Sequence, residues 1–126
     1  MLNQAIIILD DDELIHAAWK ERFKKENISS PLISFYKSED LAAWHKQNKN
    51  ECPVYLIDYE LIGSEETGLE IIQKLNLKNQ IYLVSSRCNE QLIREHCQQL
   101  EVLIVPKSFA PYIKIEMLKN DMDQMI

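Results

Sequence analysis

The chain has 126 residues, enough for one domain with a conventional core. Its formal charge of −6 argues against a nucleic-acid surface as its main business. No apolar run approaches the ~20 residues that span a bilayer, and Gly63 and Gly68 are the only glycines, so few and so placed that neither a Gly-rich dinucleotide turn nor a P-loop can be written with them.

Short apolar runs alternate with segments of helical period, the pattern of βαβ units. Ala5–Leu9 is continuous and β-branched, the mark of a strand buried on both faces, and the acids that follow at once exclude a signal peptide. Leu14, Ile15, Ala18, Trp19 and Phe23 predict an amphipathic helix from about Glu13 to Glu26. Leu32–Tyr36 is the second strand, and Ser38 reads as the N-cap of a helix carrying Leu41, Ala42 and Trp44. Pro53 precedes the third strand, Val54–Ile57. A loop with Gly63 leads to a helix beginning near Thr67, whose apolar set is Leu69, Ile71, Ile72 and Leu75. The fourth strand is Ile81–Val84, followed by a helix with Leu92, Ile93, Cys97 and Leu100. Val102–Val105 is the fifth strand.

In the last segment, Phe109, Tyr112, Ile113, Ile115, Met117 and Leu118 are apolar enough to cover the sheet as a helix starting near Pro111. Their β-branched content and Pro111 argue against a regular helix, so 108–126 is expected to be irregular or truncated. The whole chain, 1–126, reads as a single α/β domain of (βα)₅ type. Right-handed crossovers place helices on both faces of one doubly wound, five-stranded parallel sheet, with the flavodoxin-like strand order 2-1-3-4-5. Cys52, Cys88 and Cys97 form an odd set without a C-x-x-C pair, which fits idle or buried thiols in a reducing cytoplasm. His16, His45 and His96 share no metal-like spacing and are expected on solvated helix faces. Trp19 and Trp44 are expected in or at the edge of the core.

Four of the five apolar runs end in polar residues. Asp10-Asp11-Asp12 follow the first, Asp58 the third, Ser85-Ser86 the fourth and Pro106-Lys107 the fifth. In an open parallel sheet the carboxyl ends of the strands are where ligands bind, so these distant residues converge at one edge. One acid of the triplet caps the following helix. The other two repel each other unless a cation sits among them, and Mg²⁺, which takes oxygen ligands, is the natural candidate. With that strand order Asp58 faces the triplet, where a carboxylate beside a metal can attack a phosphoryl group. Lys107 would neutralise charge developing on that group, and Ser85 would donate to one of its oxygens.

This arrangement resembles the receiver domain of two-component response regulators, over essentially the whole chain from Ile6 to about Leu118. The motifs that carry it are "IIILDDDELI", "YLIDYEL…TGLEII", "IYLVSSR" and "VLIVPKSFA". The resemblance implies that Asp10 and Asp11 hold Mg²⁺ (or Mn²⁺), with Asp11 the direct ligand, and that Asp58 is both phosphoacceptor and metal ligand. It implies a metal contact from the Glu60 backbone carbonyl, a reporting role for Ser85 with Ser86 the small residue beside it, and Lys107 as the family's lysine. Its partners would be a histidine kinase or phosphotransfer protein upstream and an unidentified protein or effector domain downstream, with no direct nucleic-acid or membrane contact. The setting would be cytoplasmic, either as a stand-alone regulator or as part of a longer one. Beyond self-phosphorylation and slow autodephosphorylation, both Mg-dependent, such a domain is not an enzyme.

The chain departs from the family pattern at several points. The loop from Tyr59 to Gly68 lacks the usual proline and is longer before its glycine. Ser108 follows Lys107 where a proline is usual, so a cis peptide is not expected there. Ile104 stands at the aromatic switch position, which points to a different output surface, the terminal segment. Glu60 and Arg87 lie two residues beyond Asp58 and Ser85, where a pair across the mouth of the site would modulate hydrolysis of the acyl phosphate. Two other readings compete. A pseudo-receiver would act only as a protein-interaction module. A haloacid-dehalogenase-type phosphatase would use Asp10 as nucleophile and Asp12 as acid/base, but its further acidic pair would have to come from Asp121 and Asp123 in the tail. A flavin site is disfavoured because its phosphate would meet three acids.

Overall fold

The computed structural model describes residues 4–78 and 80–107 of the protein. Its elements run β1 (Ile6–Leu9), α1 (Glu13–Lys25), β2 (Leu32–Phe35), α2 (Ser38–Gln47), β3 (Val54–Asp58), α3 (Gly68–Leu75), β4 (Gln80–Ser85), α4 (Gln91–Gln99) and β5 (Leu103–Pro106). All strand pairs are parallel, in the order β2-β1-β3-β4-β5 expected from the alternating runs. The terminal segment 108–126, with its apolar residues, Asp121, Asp123 and the bond from Lys107 to Ser108, lies outside the described residues. No helix among the described residues is long and apolar enough to cross a membrane.

β1 and β3 are buried along their whole length, and alternate side chains serve two apolar layers. Ile7, Leu9, Tyr55, Ile57, Ile81 and Leu83 pack with Leu41, Leu69, Ile71, Ile72 and Ile93 of α2, α3 and α4. Ile6, Ile8, Val54, Leu56, Tyr82 and Val84 pack with Trp19 and Phe23 of α1. Each buried Ile or Leu contributes roughly 1.5–3 kcal/mol, so the two central strands are the most firmly seated part of the molecule. Asp10 and Asp58 take the next even positions after Ile6 and Ile8 and after Val54 and Leu56. Both are therefore carried into the interior at the carboxyl end of the sheet.

Several local expectations shift. Ser38 is the first residue of α2 rather than its cap, because the extended backbone of a cap belongs to Lys37, which makes no side-chain capping bond. β2 stops at Phe35, one residue short of the expected Tyr36, which is exposed. Leu14 and Leu92 are 77% and 81% exposed and leave the apolar sets assigned to them. The buried stripe of α1 is His16, Trp19 and Phe23, and that of α4 is Ile93 and Cys97. Trp44 does sit at the core edge, against Phe35. Cys97 is buried, Cys52 is exposed, and all three thiols are free.

α3 begins where the sequence placed it. The Thr67 side chain accepts from the Glu70 N–H while Glu70 accepts from the Thr67 N–H, a complete capping box. The Gly68 N–H donates to the Tyr59 carbonyl at 2.8 Å. A Cβ on Gly68 would lie 2.1 Å from the Asp58 carbonyl oxygen, so only glycine lets this helix start so close to the end of β3. Gly68→Ala is therefore expected to push the two elements apart at a cost of ~1–3 kcal/mol, lowering the melting temperature. An unchanged melt would mean that α3 can start elsewhere without loss.

Candidate functional site

The register explains the convergence. Leu9 pairs with Ile57, Asp58 with Val84 and Ser85 with Pro106, so Asp10, Asp58, Ser85 and Lys107 occupy successive rows at one edge. They open onto a cavity of about 370 Å³ lined by Asp11, Asp12, Glu13, Asp58, Glu60, Ile62, Ser85, Ser86 and Lys107.

Asp10 is held on every side. Its N–H donates to the Phe35 carbonyl at 3.1 Å, and its Oδ1 accepts from the Asp12 N–H at 2.8 Å. Its Oδ2 lies 3.4 Å from Lys107 Nζ. Asp12 is the acid spent on capping, its Oδ1 accepting from the Leu14 N–H. Asp11 is half-buried, and its Oδ2 accepts from the Ile62 N–H at 3.2 Å. Asp58 is 2% exposed. Lys107 Nζ stands 3.1 Å from its Oδ2, yet that oxygen makes no hydrogen bond: the contact is one of charge, without the alignment of a bond.

The charges do not balance. Burial first, and then the Asp10 charge, push the Asp58 carboxyl up to about 7 from the ordinary 3.8, against the opposing pull of Lys107. Burial also raises Asp10. Lys107 is itself raised, because Asp10 and Asp58 together outweigh the burial that works against its charge. Oxygens of Asp10, Asp11 and Asp58 lie within 4.8 Å of one another. A hard divalent cation fits this set of oxygen donors, because its charge would offset that of the three acids.

Ser85 is buried, and its Oγ accepts from the Arg87 N–H at 2.9 Å. Ser86 is exposed on the cavity wall. Glu60 and Arg87 do meet, at 3.4 Å, and Arg87 also chelates Glu90 and lies over the Tyr59 ring, 5.4 Å from its centroid. Arg87 thus ties the loop after β3 to the loop after β4.

His16 corrects an expectation. It is not on a solvated face but 1% exposed, while His45 and His96 are half-buried near the ends of α2 and α4. Its Nε2 lies 2.8 Å from the Asp10 carbonyl oxygen, and since a carbonyl only accepts, Nε2 carries the proton. Nδ1 is buried without a partner, and the ring packs on Tyr36 at 4.2 Å. The signal lay in the period: His16 stands three residues before Trp19 and seven before Phe23, on the buried stripe. The Ile62 amide was also missed, and no side-chain pattern could have announced it.

No family model matches the sequence, and no curated protein does. The likeness is to solved structures. A CheY-like response regulator receiver domain protein from Methanospirillum hungatei superposes with a TM-score of 0.78 at 19% identity, covering 98% of this chain and 96% of that one. The fold is that of a response-regulator receiver domain. The RcsB response regulator of Salmonella typhimurium gives a TM-score of 0.73 at 18% identity over 98% of this chain, which spans 61% of that protein. CheY of Borrelia burgdorferi, solved as a CheX-CheY-BeF3-Mg²⁺ complex, gives 0.70 at 12% identity, covering 98% and 90% of the two chains. At these identities the likeness is one of architecture.

The raised Asp58 has a consequence for this receiver fold. Between the unfolded value of 3.8 and about 7, the folded metal-free protein holds a proton that the unfolded chain has released. Stability therefore falls as pH rises through that window and levels off above it. Asp58→Asn is expected to exceed the parent in stability at about pH 8 in EDTA, by on the order of a few kcal/mol, with the difference shrinking toward pH 4. Urea unfolding at both pH values checks this, and a difference independent of pH would contradict it.

Proposed function

We propose that the chain is a phosphoacceptor receiver that takes a phosphoryl group onto Asp58. The donor is a phosphohistidine on a histidine kinase or phosphotransfer protein, or a small acyl phosphate. The observation that carries this reading is the buried Asp58, with one oxygen unbonded, set between two further carboxylates and Lys107 at the wall of an open cavity. The ionised carboxylate attacks phosphorus, the P–N bond to the imidazole (or, for a small acyl phosphate, the P–O bond to its carboxylate) breaks, and an acyl phosphate forms on Asp58. Lys107 offsets negative charge on the transferring group, and Ser85, whose Oγ accepts from the Arg87 N–H, donates its own O–H to a phosphoryl oxygen. Asp10, Asp11 and Asp58 would hold Mg²⁺ or Mn²⁺, with the Glu60 carbonyl a further ligand. When bound, the cation supplies charge neutralisation that lets three acids and a phosphoryl group share one site.

The phosphorylated form shifts a conformational equilibrium that alters contacts with a downstream protein. The CheX complex of the Borrelia neighbour supports a protein partner. A cytoplasmic setting follows from this role. The domain turns over no substrate beyond loading and slowly losing its own phosphoryl group. The phosphatase reading loses ground because Asp12, its acid/base, is engaged as the cap of α1.

Incubation with acetyl phosphate and Mg²⁺ is expected to add one phosphoryl mass to the parent and none to Asp58→Asn. An adduct in neither, at any Mg²⁺ concentration, would favour the pseudo-receiver instead. Arg87→Ala is expected to shorten the life of the acyl phosphate by releasing the two loops at the mouth. The effect should be small, since exposed ion pairs hold a loop only weakly. Loss of phosphate followed by mass reads it out, and an unchanged half-life would leave Arg87 as a surface bridge only.

A further inference from the structure

The three acids are not held alike. Asp10 and Asp58 are fixed by the central strands and Lys107. Asp11 stands one residue farther out, half-exposed, and among the described residues its carboxylate accepts from the Ile62 N–H, 51 residues away. Ile62 is the second residue of a tight turn, Leu61 to Ser64, closed by the Ser64 N–H on the Leu61 carbonyl at 3.0 Å. Gly63 has φ +84, as the third residue of a type II turn requires. Leu61 anchors the turn in the core, whereas the Ile62 side chain is 88% exposed. What Ile62 brings to the site is therefore its amide.

We propose that the Leu61–Ser64 turn is the positioning element for Asp11. The Ile62 N–H sets the rotation of the carboxylate and leaves its second oxygen for a divalent cation. This rests on the reading of Asp11 as a cation ligand. Hydrogen bonds that orient metal-binding carboxylates are worth about 10–100-fold in affinity, and a bond of 3.2 Å at a half-exposed acid belongs at the lower end of that range. The part of the chain that departs from the family pattern, the longer loop after Asp58, is thereby the part that tunes the cation.

One substitution isolates the donor. Ile62→Pro deletes the N–H, and proline is favoured at the second position of a type II turn, so the turn is retained. Ile62→Ala keeps the N–H and discards the exposed side chain. Calorimetric titration of each unphosphorylated protein with Mg²⁺ alone is expected to show parent and Ile62→Ala alike and Ile62→Pro weaker by about tenfold. In the parent, the Ile62 amide resonance is expected to move as Mg²⁺ saturates the site, a readout that holds even if the proline variant fails to fold. Equal affinity in a folded Ile62→Pro, equal weakening in Ile62→Ala, or an Ile62 amide indifferent to Mg²⁺ would each overturn the positioning role. A parent that binds no Mg²⁺ would instead overturn the cation reading on which it rests.

Discussion

Two carboxylates buried side by side share one ammonium, and the rest of this structure serves that arrangement. Removing an ion from water costs several kcal/mol, and a single Lys107 cannot compensate two. Asp10 and Asp58 nevertheless stay inside because they continue the even-numbered stripes of β1 and β3, whose isoleucines, valine and leucine are fully buried. Displacing either acid toward solvent would mean withdrawing the strand behind it. The apolar interior thus keeps both acids at the edge of the sheet despite the cost of burying them.

The support reaches beyond the strands. His16 comes back from the second turn of α1 to hold the Asp10 carbonyl, with Tyr36 against its ring. On the other side Gly68 lets α3 begin against the end of β3, and its amide holds the loop carbonyl of Tyr59. Both contacts act on backbone rather than on the carboxylates. They fix where the strands end, and the strand ends fix the acids.

The architecture was legible because its signals are periodic. Continuous β-branched runs mark strands buried on both faces, and residues at their ends had to meet once the strand order was known. The start of α3 near Thr67 could be read from residue types, while the reciprocal bonds between Thr67 and Glu70 that fix it emerge only in the structure. Other features followed from competition that a pattern does not record. Leu14 and Leu92 look apolar enough to be core, but α1 and α4 each bury a narrow stripe one step away, and in α1 a histidine takes the place a leucine would fill. Ser38 offers a capping side chain, yet the chain bends at Lys37. The Ile62 amide on Asp11 is a backbone donor, common to nearly every residue, and only the turn that aims it makes it particular.

Arg87 carries one more consequence. Its guanidinium answers Glu60 and the ring of Tyr59 on one loop and Glu90 on another, while its amide occupies the Ser85 hydroxyl. Replacing it alone leaves two carboxylates and an aromatic face without their shared partner. Residues 59, 60, 87 and 90 thus form one connected surface cluster that bridges the loops after β3 and β4.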